Sequence, residues 1–400
     1  PCSTNDTSLY QVFKGNINQK MNICILTRSL PCHIDGGMEY HTLTLARELA
    51  KHTNQVTILT TGHNGKSCIE EYEDIQIVHL EGTNPGQYSY AFFQKAKEYL
   101  DSHPEIEIVH SQGFAAMGFW KGIKQPLVTT VHGTLLSETS LHYKSSYESM
   151  WKYKKRLIIY PLYKKLLKNS KLLVVDSNFS RQLLIKEDPS LTSKVFPVHL
   201  GIDIDFYRPL DQQESREKFS LEEKFTILSL GRITETKGIQ IILQALQELE
   251  DIPLQLAIGG TGPYEEELKL MANKMGLNNV LFFGKIAQMD KPFLYSSVDI
   301  FVQPDLTAPA FGLVAAEAMA CGTPVIASRS GALPEVVLSG SGLLFPRGDS
   351  SHLARLIRMM YEDTQLRRAM AGKARVDSVS LFDSKRMAED IIKIYQAAKS

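Results

Sequence analysis

The sequence predicts an α/β protein built on two successive parallel sheets, each covered by helices on both faces. Three observations predict it. Short apolar, β-branched runs alternate with amphipathic helical patterns along the chain. Hydrophobic residues make up 43% and charged residues 22% of 400 positions, enough for two cores at about 150 residues per domain. The alternation breaks once, near residues 200–220, where Tyr207-Arg-Pro209 leads into the polar segment Asp211 to Phe219.

In chain order, residues 1–20 are polar and read as a loose extension. The first series of strands is Asn22–Leu26, Gln55–Thr60, Ile75–Leu80, Ile106–His110, Leu127–Val131, Leu172–Val175 and Val195–Val198. The second is Phe225–Leu230, Gln255–Gly259, Val280–Phe283, Ile300–Val302, Pro324–Ala327 and Gly342–Phe345. Helical patterns at Glu39–Lys51, Gly238–Leu249 and Glu265–Met275 lie between them. The predicted domains are 21–205 and 206–382, followed by a last helix, 383–400, with Met387, Ile391, Ile394 and Tyr395 on one face. No repeat with a period of 20–50 residues is present.

Composition removes several classes. Forty-four basic residues balance 44 acidic ones, which argues against a protein committed to nucleic acid. No apolar run reaches the ~18 residues of a membrane span, and the first twenty residues lack a signal-peptide core. The cysteines at 2, 24, 32, 68 and 321 are odd in number and form no Cys-x-x-Cys pair. They read as reduced thiols of a cytoplasmic protein, with no disulfide framework, zinc site or other metal.

Five segments carry chemistry. Pro304 to Ser328 runs from a strand end through Phe311-Gly312-Leu313 into a helix of small residues that holds one acid, Glu317, and then into another strand. Such a unit holds a ligand at the strand end and helix N-terminus. Ala315, Ala316, Ala318 and Ala320 would let that helix lie close to the sheet. Gly36-Gly37 follows the first strand and opens a helix whose free N–H groups suit an anion; the alternative is a plain turn. His132 with Gly133 closes a strand, where an imidazole can meet a substrate oxygen or serve structure alone. Gly231-Arg232 and Lys237-Gly238 bracket a loop that opens a helix, and its two cations suit a diphosphate. Gly259-Gly-Thr-Gly262-Pro263 opens the next helix. No Walker A loop is present. Lys144 to Lys171 holds nine basic residues and one acid among tyrosines. It reads either as a solvated helix pair or as a surface for anionic lipid.

These motifs, in this order, resemble the family 4 glycosyltransferases. The resemblance implies the GT-B fold, two Rossmann-like domains facing across a cleft, with the last helix crossing back to the first domain. It implies a retaining, metal-independent hexosyltransferase-like enzyme that moves a sugar from a nucleoside diphosphate, UDP being commonest, to an acceptor hydroxyl. No cofactor is implied beyond the donor. By resemblance Arg232 and Lys237 stabilise the leaving diphosphate, and His132 lies near the donor sugar. Gly36, Gly37, Gly231, Gly262, Phe311, Gly312 and Leu313 surround the donor, and Glu317 binds the ribose.

The chain departs from the family once. A second glutamate is expected eight positions before Glu317, and Pro309 stands there. Pro309 offers neither a carboxylate nor an N–H. The sugar is then held by the N–H groups around Phe311–Leu313 or by Asp305, or the donor sugar is an uncommon one, or transfer is weakened. The acceptor is a glycan, a lipid or a small molecule, and the basic stretch allows peripheral contact with an anionic membrane. Two rival readings are a GT-B nucleotide-sugar epimerase and a non-catalytic nucleotide-sugar-binding protein.

Overall fold

The structure, a computed structural model, describes residues 20–34, 36–53, 55–63, 66–85, 90–118, 122–133 and 159–400. The N-terminal extension up to residue 19 and positions 144–158 of the basic stretch lie outside the described residues. The chain divides into two units. One takes the residues up to Gly201 together with Ser384–Ser400, and the other is Ile202–Asp383.

The first unit is an eight-stranded sheet of β1 (Asn22–Leu26), β2 (Gln55–Thr61), β3 (Cys68–Tyr72), β4 (Ile75–Leu80), β5 (Ile108–Gln112), β6 (Leu127–Val131), β7 (Leu172–Val175) and β8 (Val195–Pro197). The spatial order is β3-β4-β2-β1-β5-β6-β7-β8. Every pairing is parallel except that of β3 with β4.

The two-residue period of a strand sends alternate side chains to opposite faces. Ile23 and Ile25 join Val56, Ile58, Ile75 and Ile77 on one face, under Leu45 and Leu49 of the helix Gly37–Ala50 and Ile391 and Ile394 of the last helix, Ser384–Lys399. Cys24 and Leu26 join Leu59, Val78 and Leu80 on the other face, under Phe92, Ala96 and Leu100 of the helix Tyr90–Ser102. Each fully buried aliphatic side chain of this kind stabilises the fold by about 1.5–3 kcal/mol.

Two features differ from expectation. The strand β3 carries mostly exposed residues, and only its antiparallel register with β4 makes it a strand. It therefore has no apolar alternation to read. The strand β5 starts and ends two residues later than the apolar run suggests, because its pairing with β1 runs from Ile108 to Ser111. This brings Gln112 to the strand end.

The second unit is a six-stranded, wholly parallel sheet. Its strands are β9 (Phe225–Leu230), β10 (Leu254–Gly259), β11 (Val280–Gly284), β12 (Ile300–Gln303), β13 (Val325–Ser328) and β14 (Gly342–Phe345). They lie in the order β11-β10-β9-β12-β13-β14. The helix Ile239–Leu246 is apolar on nearly every side and buries all its residues but Gln244. The helix Leu313–Ala320 carries the alanines expected to approach the sheet. It packs chiefly against the long helix Thr364–Phe382. Arg375 on that helix donates to the Ala320 carbonyl at 2.9 Å, where a cation suits a helix C-terminus.

Strand order reverses between β1 and β5 in the first unit and between β9 and β12 in the second. In open α/β sheets the crevice for a ligand lies beyond the strand ends at such points.

Candidate functional site

In the second unit the loops after β9 and β12 meet at the reversal point. Leu306 N–H donates to the Thr236 carbonyl at 2.9 Å. Gly238 has φ of 73°, and a Cβ there would collide with the Pro304 carbonyl, so only glycine permits this approach. A Cβ at Gly262 would likewise strike the Ile233 carbonyl, which draws the third loop onto the first.

Lys237 Nζ lies 3.0 Å from Asp305 Oδ1. Asp305 is 1% exposed, whereas 39% of the lysine side chain remains open. Gln303 donates to the other carboxylate oxygen at 2.6 Å. A buried carboxylate thus fixes the lysine at the crevice and offsets part of its charge. Removing the lysine would leave the buried carboxylate without its cation, which is destabilising. Arg232 is exposed, and no hydrogen bond or ion pair is found for it among the described residues. Gly231 ends β9 and has open space where a side chain would stand.

Glu317 is 6% exposed on the helix Leu313–Ala320. Its Oε2 accepts from Tyr295 at 2.7 Å, and Oε1 lies 3.6 Å from Lys291 Nζ. Burial first, and this carboxylate second, push the Tyr207 and Tyr295 phenols well above the ordinary tyrosine value. Gly312 precedes the helix, so the N–H groups of Leu313 and Val314 have no acceptor in their own helix. Phe311 turns its ring into the core, edge-on to Phe382 at 5.4 Å, which leaves only its backbone for a ligand.

In the first unit the ends of β1, β5 and β6 surround a cleft of about 320 Å³ lined by Arg28, Ser29, Glu39, Gln112 and His132. His132 Nδ1 is 3.1 Å from each oxygen of Asp176, and Nε2 is 2.8 Å from Gln112 Oε1. Asp176 is 1% exposed and follows β7 directly. It accepts from Nδ1–H and so fixes the ring, as a carboxylate orients a working histidine. His41 meets the ring edge-on at 5.6 Å and is held well below the ordinary histidine value, first by burial and then by His132. Gly36 is the N-cap of the helix that Gly37 begins. The mouth of that helix is partly filled by Glu39, whose carboxylate accepts from Ser29 at 2.6 Å.

The structure therefore gathers Arg232, Lys237, Gly231, Gly262, Phe311, Gly312, Leu313 and Glu317 around the second unit's strand ends. Gly36, Gly37 and His132 lie at those of the first. Sequence reasoning missed Gln112, Asp176, Tyr295 and Lys291. Asp176, an acid directly after the apolar run Leu172–Val175, was the one signal available. Asp305, considered for the sugar, accepts from Gln303 at Oδ2, while its Oδ1 lies 3.0 Å from Lys237 Nζ without accepting a hydrogen bond.

Known proteins match both units. Residues 211–377 match the family described as glycosyl transferases group 1, and residues 35–206 match glycosyltransferase family 4. The alpha-monoglucosyldiacylglycerol synthase of Streptococcus pneumoniae is 30% identical over 73% of this chain and 67% of its own length. The phosphatidyl-myo-inositol mannosyltransferase of Mycobacterium leprae is 26% identical over 91% of this chain and 93% of its own. Among solved structures, sucrose-phosphate synthase from Thermosynechococcus elongatus superposes with a TM-score of 0.79 at 21% identity, covering 94% of this chain and 99% of that one. The Anabaena protein HepE, in complex with UDP-glucose, gives 0.73 at 21% identity, covering 94% and 98%.

Proposed function

Because this chain belongs to the family 4 glycosyltransferases, enzymes of GT-B fold, we propose that it transfers a sugar from a UDP-sugar to an acceptor hydroxyl with retention at the anomeric carbon. The observation that carries this reading is Lys237, held by buried Asp305 in the same loop as exposed Arg232 at the second unit's reversal point. The bond between the anomeric carbon and the diphosphate oxygen breaks and its electron pair leaves with the diphosphate; the acceptor oxygen bonds to the same carbon on the face the diphosphate leaves, and its proton passes to the departing diphosphate. Arg232 and Lys237 are aimed where that charge develops, which is the most effective place for a fixed cation. They take the part a divalent metal would otherwise play. Glu317 is assigned to the ribose through Oε1, which does not accept from Tyr295 and lies 3.6 Å from Lys291 Nζ. His132 is assigned to a substrate oxygen in the first unit, with Asp176 holding its tautomer.

Two relatives carry lipid names, a glucosyldiacylglycerol synthase and a phosphatidylinositol mannosyltransferase. A lipid acceptor at the cytoplasmic face of a membrane is the reading we favour. Lys164, Lys165, Lys168 and Lys171 of the basic stretch suit such a surface.

Incubation with UDP-, GDP- and ADP-sugars, with and without glycolipid or phospholipid acceptors, tests the reading. Nucleotide release that depends on acceptor is expected. A new sugar isomer without release would make the protein an epimerase, and neither product would make it a binding protein. Lys237→Ala should lower transfer about 100-fold, as one aimed charge at a leaving group is worth ~3 kcal/mol. The double change Lys237→Ala with Asp305→Asn removes the stranded carboxylate and should recover stability but not rate. Turnover within about threefold of the parent in both variants would exclude the assignment.

A further inference from the structure

At the β3 edge of the first unit, the turn after β1, the turn after β2 and the β3–β4 hairpin bring soft ligands together. The candidate ligand atoms of Cys32, His63 and His79 lie within 4.8 Å of one another, and so do those of Cys68, Glu70 and His79. His79 belongs to both groups. We propose that Cys32, His63 and His79 form a zinc site, with Cys68, which meets His79 in the second group, as its fourth ligand.

The carrying observation is His79. It is 1% exposed, and its Nδ1 lies 3.1 Å from the Thr61 carbonyl. Donation from Nδ1–H to that carbonyl leaves the lone pair on Nε2. Nε2 is buried with no hydrogen-bond partner, and the nearest acid, Glu70, stands 3.7 Å away. A histidine whose one ring nitrogen donates to a main-chain carbonyl while the other is bare is oriented as a metal ligand is. His63 Nδ1 is a second buried nitrogen without a partner. Buried polar atoms are rarely left so; His33 Nε2 is a third here, and the pair on His63 and His79 calls for a ligand that accepts lone pairs.

The neighbouring His33 is not a ligand. Its Nδ1 accepts from the Leu30 N–H at 3.1 Å, which puts the proton on Nε2 and denies a cation that nitrogen. Its ring instead walls the site, 5.3 Å from His79 and 6.0 Å from His63. Two thiols and two imidazoles select zinc over calcium or magnesium, which take oxygen. Tetrahedral zinc spaces such ligands by about 3.5 Å, so Cys32, His63 and His79 need to close by roughly 1 Å and Cys68 has to move further to join them. Closure consumes all four ligands, so the site is structural. It would bind the β3–β4 hairpin to the turn after β1, the turn that leads to Gly36 and Gly37.

The test uses the whole protein, stripped of metal by chelator under reducing conditions and titrated with Zn²⁺ against a chromophoric competitor. One zinc per chain is expected. Co²⁺ in its place should give the intense visible bands of a tetrahedral site and a thiolate charge-transfer band. Cys32→Ser and His79→Gln should each weaken zinc by about 100-fold or more, beyond the 10–100-fold that loss of an outer-shell partner costs. Cys32 is exposed, so its variant keeps the test decisive if His79→Gln fails to fold. Binding equally tight in the Cys32 variant, a cobalt spectrum without the thiolate band, or failure to bind one equivalent would overturn the proposal. So would a Cys32–Cys68 disulfide found by mass spectrometry in protein purified without reductant.

Discussion

Pro309 stands where the sequence resemblance leads one to expect a glutamate, and we propose that main-chain donors meet the sugar there instead. Its carbonyl accepts from Ala332 N–H at 3.0 Å, and Gly331 packs so closely that no Cβ fits there. Asp305 is buried beside Lys237 and Gln303, and the N–H groups of Leu313 and Val314, which have no acceptor in their own helix, are the donors assigned to the sugar. Such a site presents donors where the family presents a carboxylate. Pro309→Glu should therefore leave transfer from UDP-glucose within about threefold of the parent, since an added carboxylate meets no hydroxyl and pays a desolvation cost. A gain of tenfold or more, measured as initial rate, would mean a weakened enzyme in place of a re-specified one. The position of Arg232, Lys237 and Glu317 next to strand ends was legible because their spacing follows a strand-to-helix turn. Asp305 as the partner of Lys237 was not, because the contact exists only once β9 and β12 lie side by side.

Elements whose apolar residues repeat with period two or 3.6 were readable from the sequence to within two residues, as Asn22–Leu26 and Phe225–Leu230 illustrate. The strand β3 was not, since its order comes from backbone pairing at an edge and its glutamates face solvent, as charged edge residues commonly do. The last helix shows the opposite case. Its apolar face was plain, and its polar contact was not: Tyr395 Oη lies 2.7 Å from His110 Nδ1, while Thr130 Oγ1 takes Nε2 at 2.7 Å. All three groups are buried. Tyr395→Phe keeps the ring and strands one buried imidazole nitrogen. It should lower the stability of the first unit by about 1–3 kcal/mol in urea unfolding. An unchanged midpoint would mean that water or a rotated Thr130 replaces the phenol.

For the whole molecule, two buried histidines set the response to acid. His110 is pushed down from 6.5 to about 3, first by burial and then by His132. His41 is held well below its ordinary value by burial, with His132 and His110 adding to it. Both are neutral when folded and take up protons once unfolded. The unfolded chain therefore binds more protons below pH 6.5, and stability falls as pH drops from about 6.5 toward 3. His110 contributes a slope of roughly 1.4 kcal/mol per pH unit well inside that window, and His41 acts in the same direction. Urea midpoints at pH 7, 6 and 5 should decline with increasing steepness, and His110→Gln should flatten the curve; a flat parent profile would show that both rings are hydrated. The route of the chain has a separate consequence. Ile202 N–H donates to the Phe382 carbonyl at 2.7 Å, and Ile202 bridges Asp383 in parallel. The second unit is thus an insertion whose entry and exit are neighbours, with Gly201 and Ser384 touching on the other side of the junction. A gene fragment for 202–383 can be excised as one continuous piece that carries every cation assigned to the diphosphate. A stop codon after Asp383 would spare that piece and strip the first sheet of Met387, Ile391, Ile394 and Tyr395.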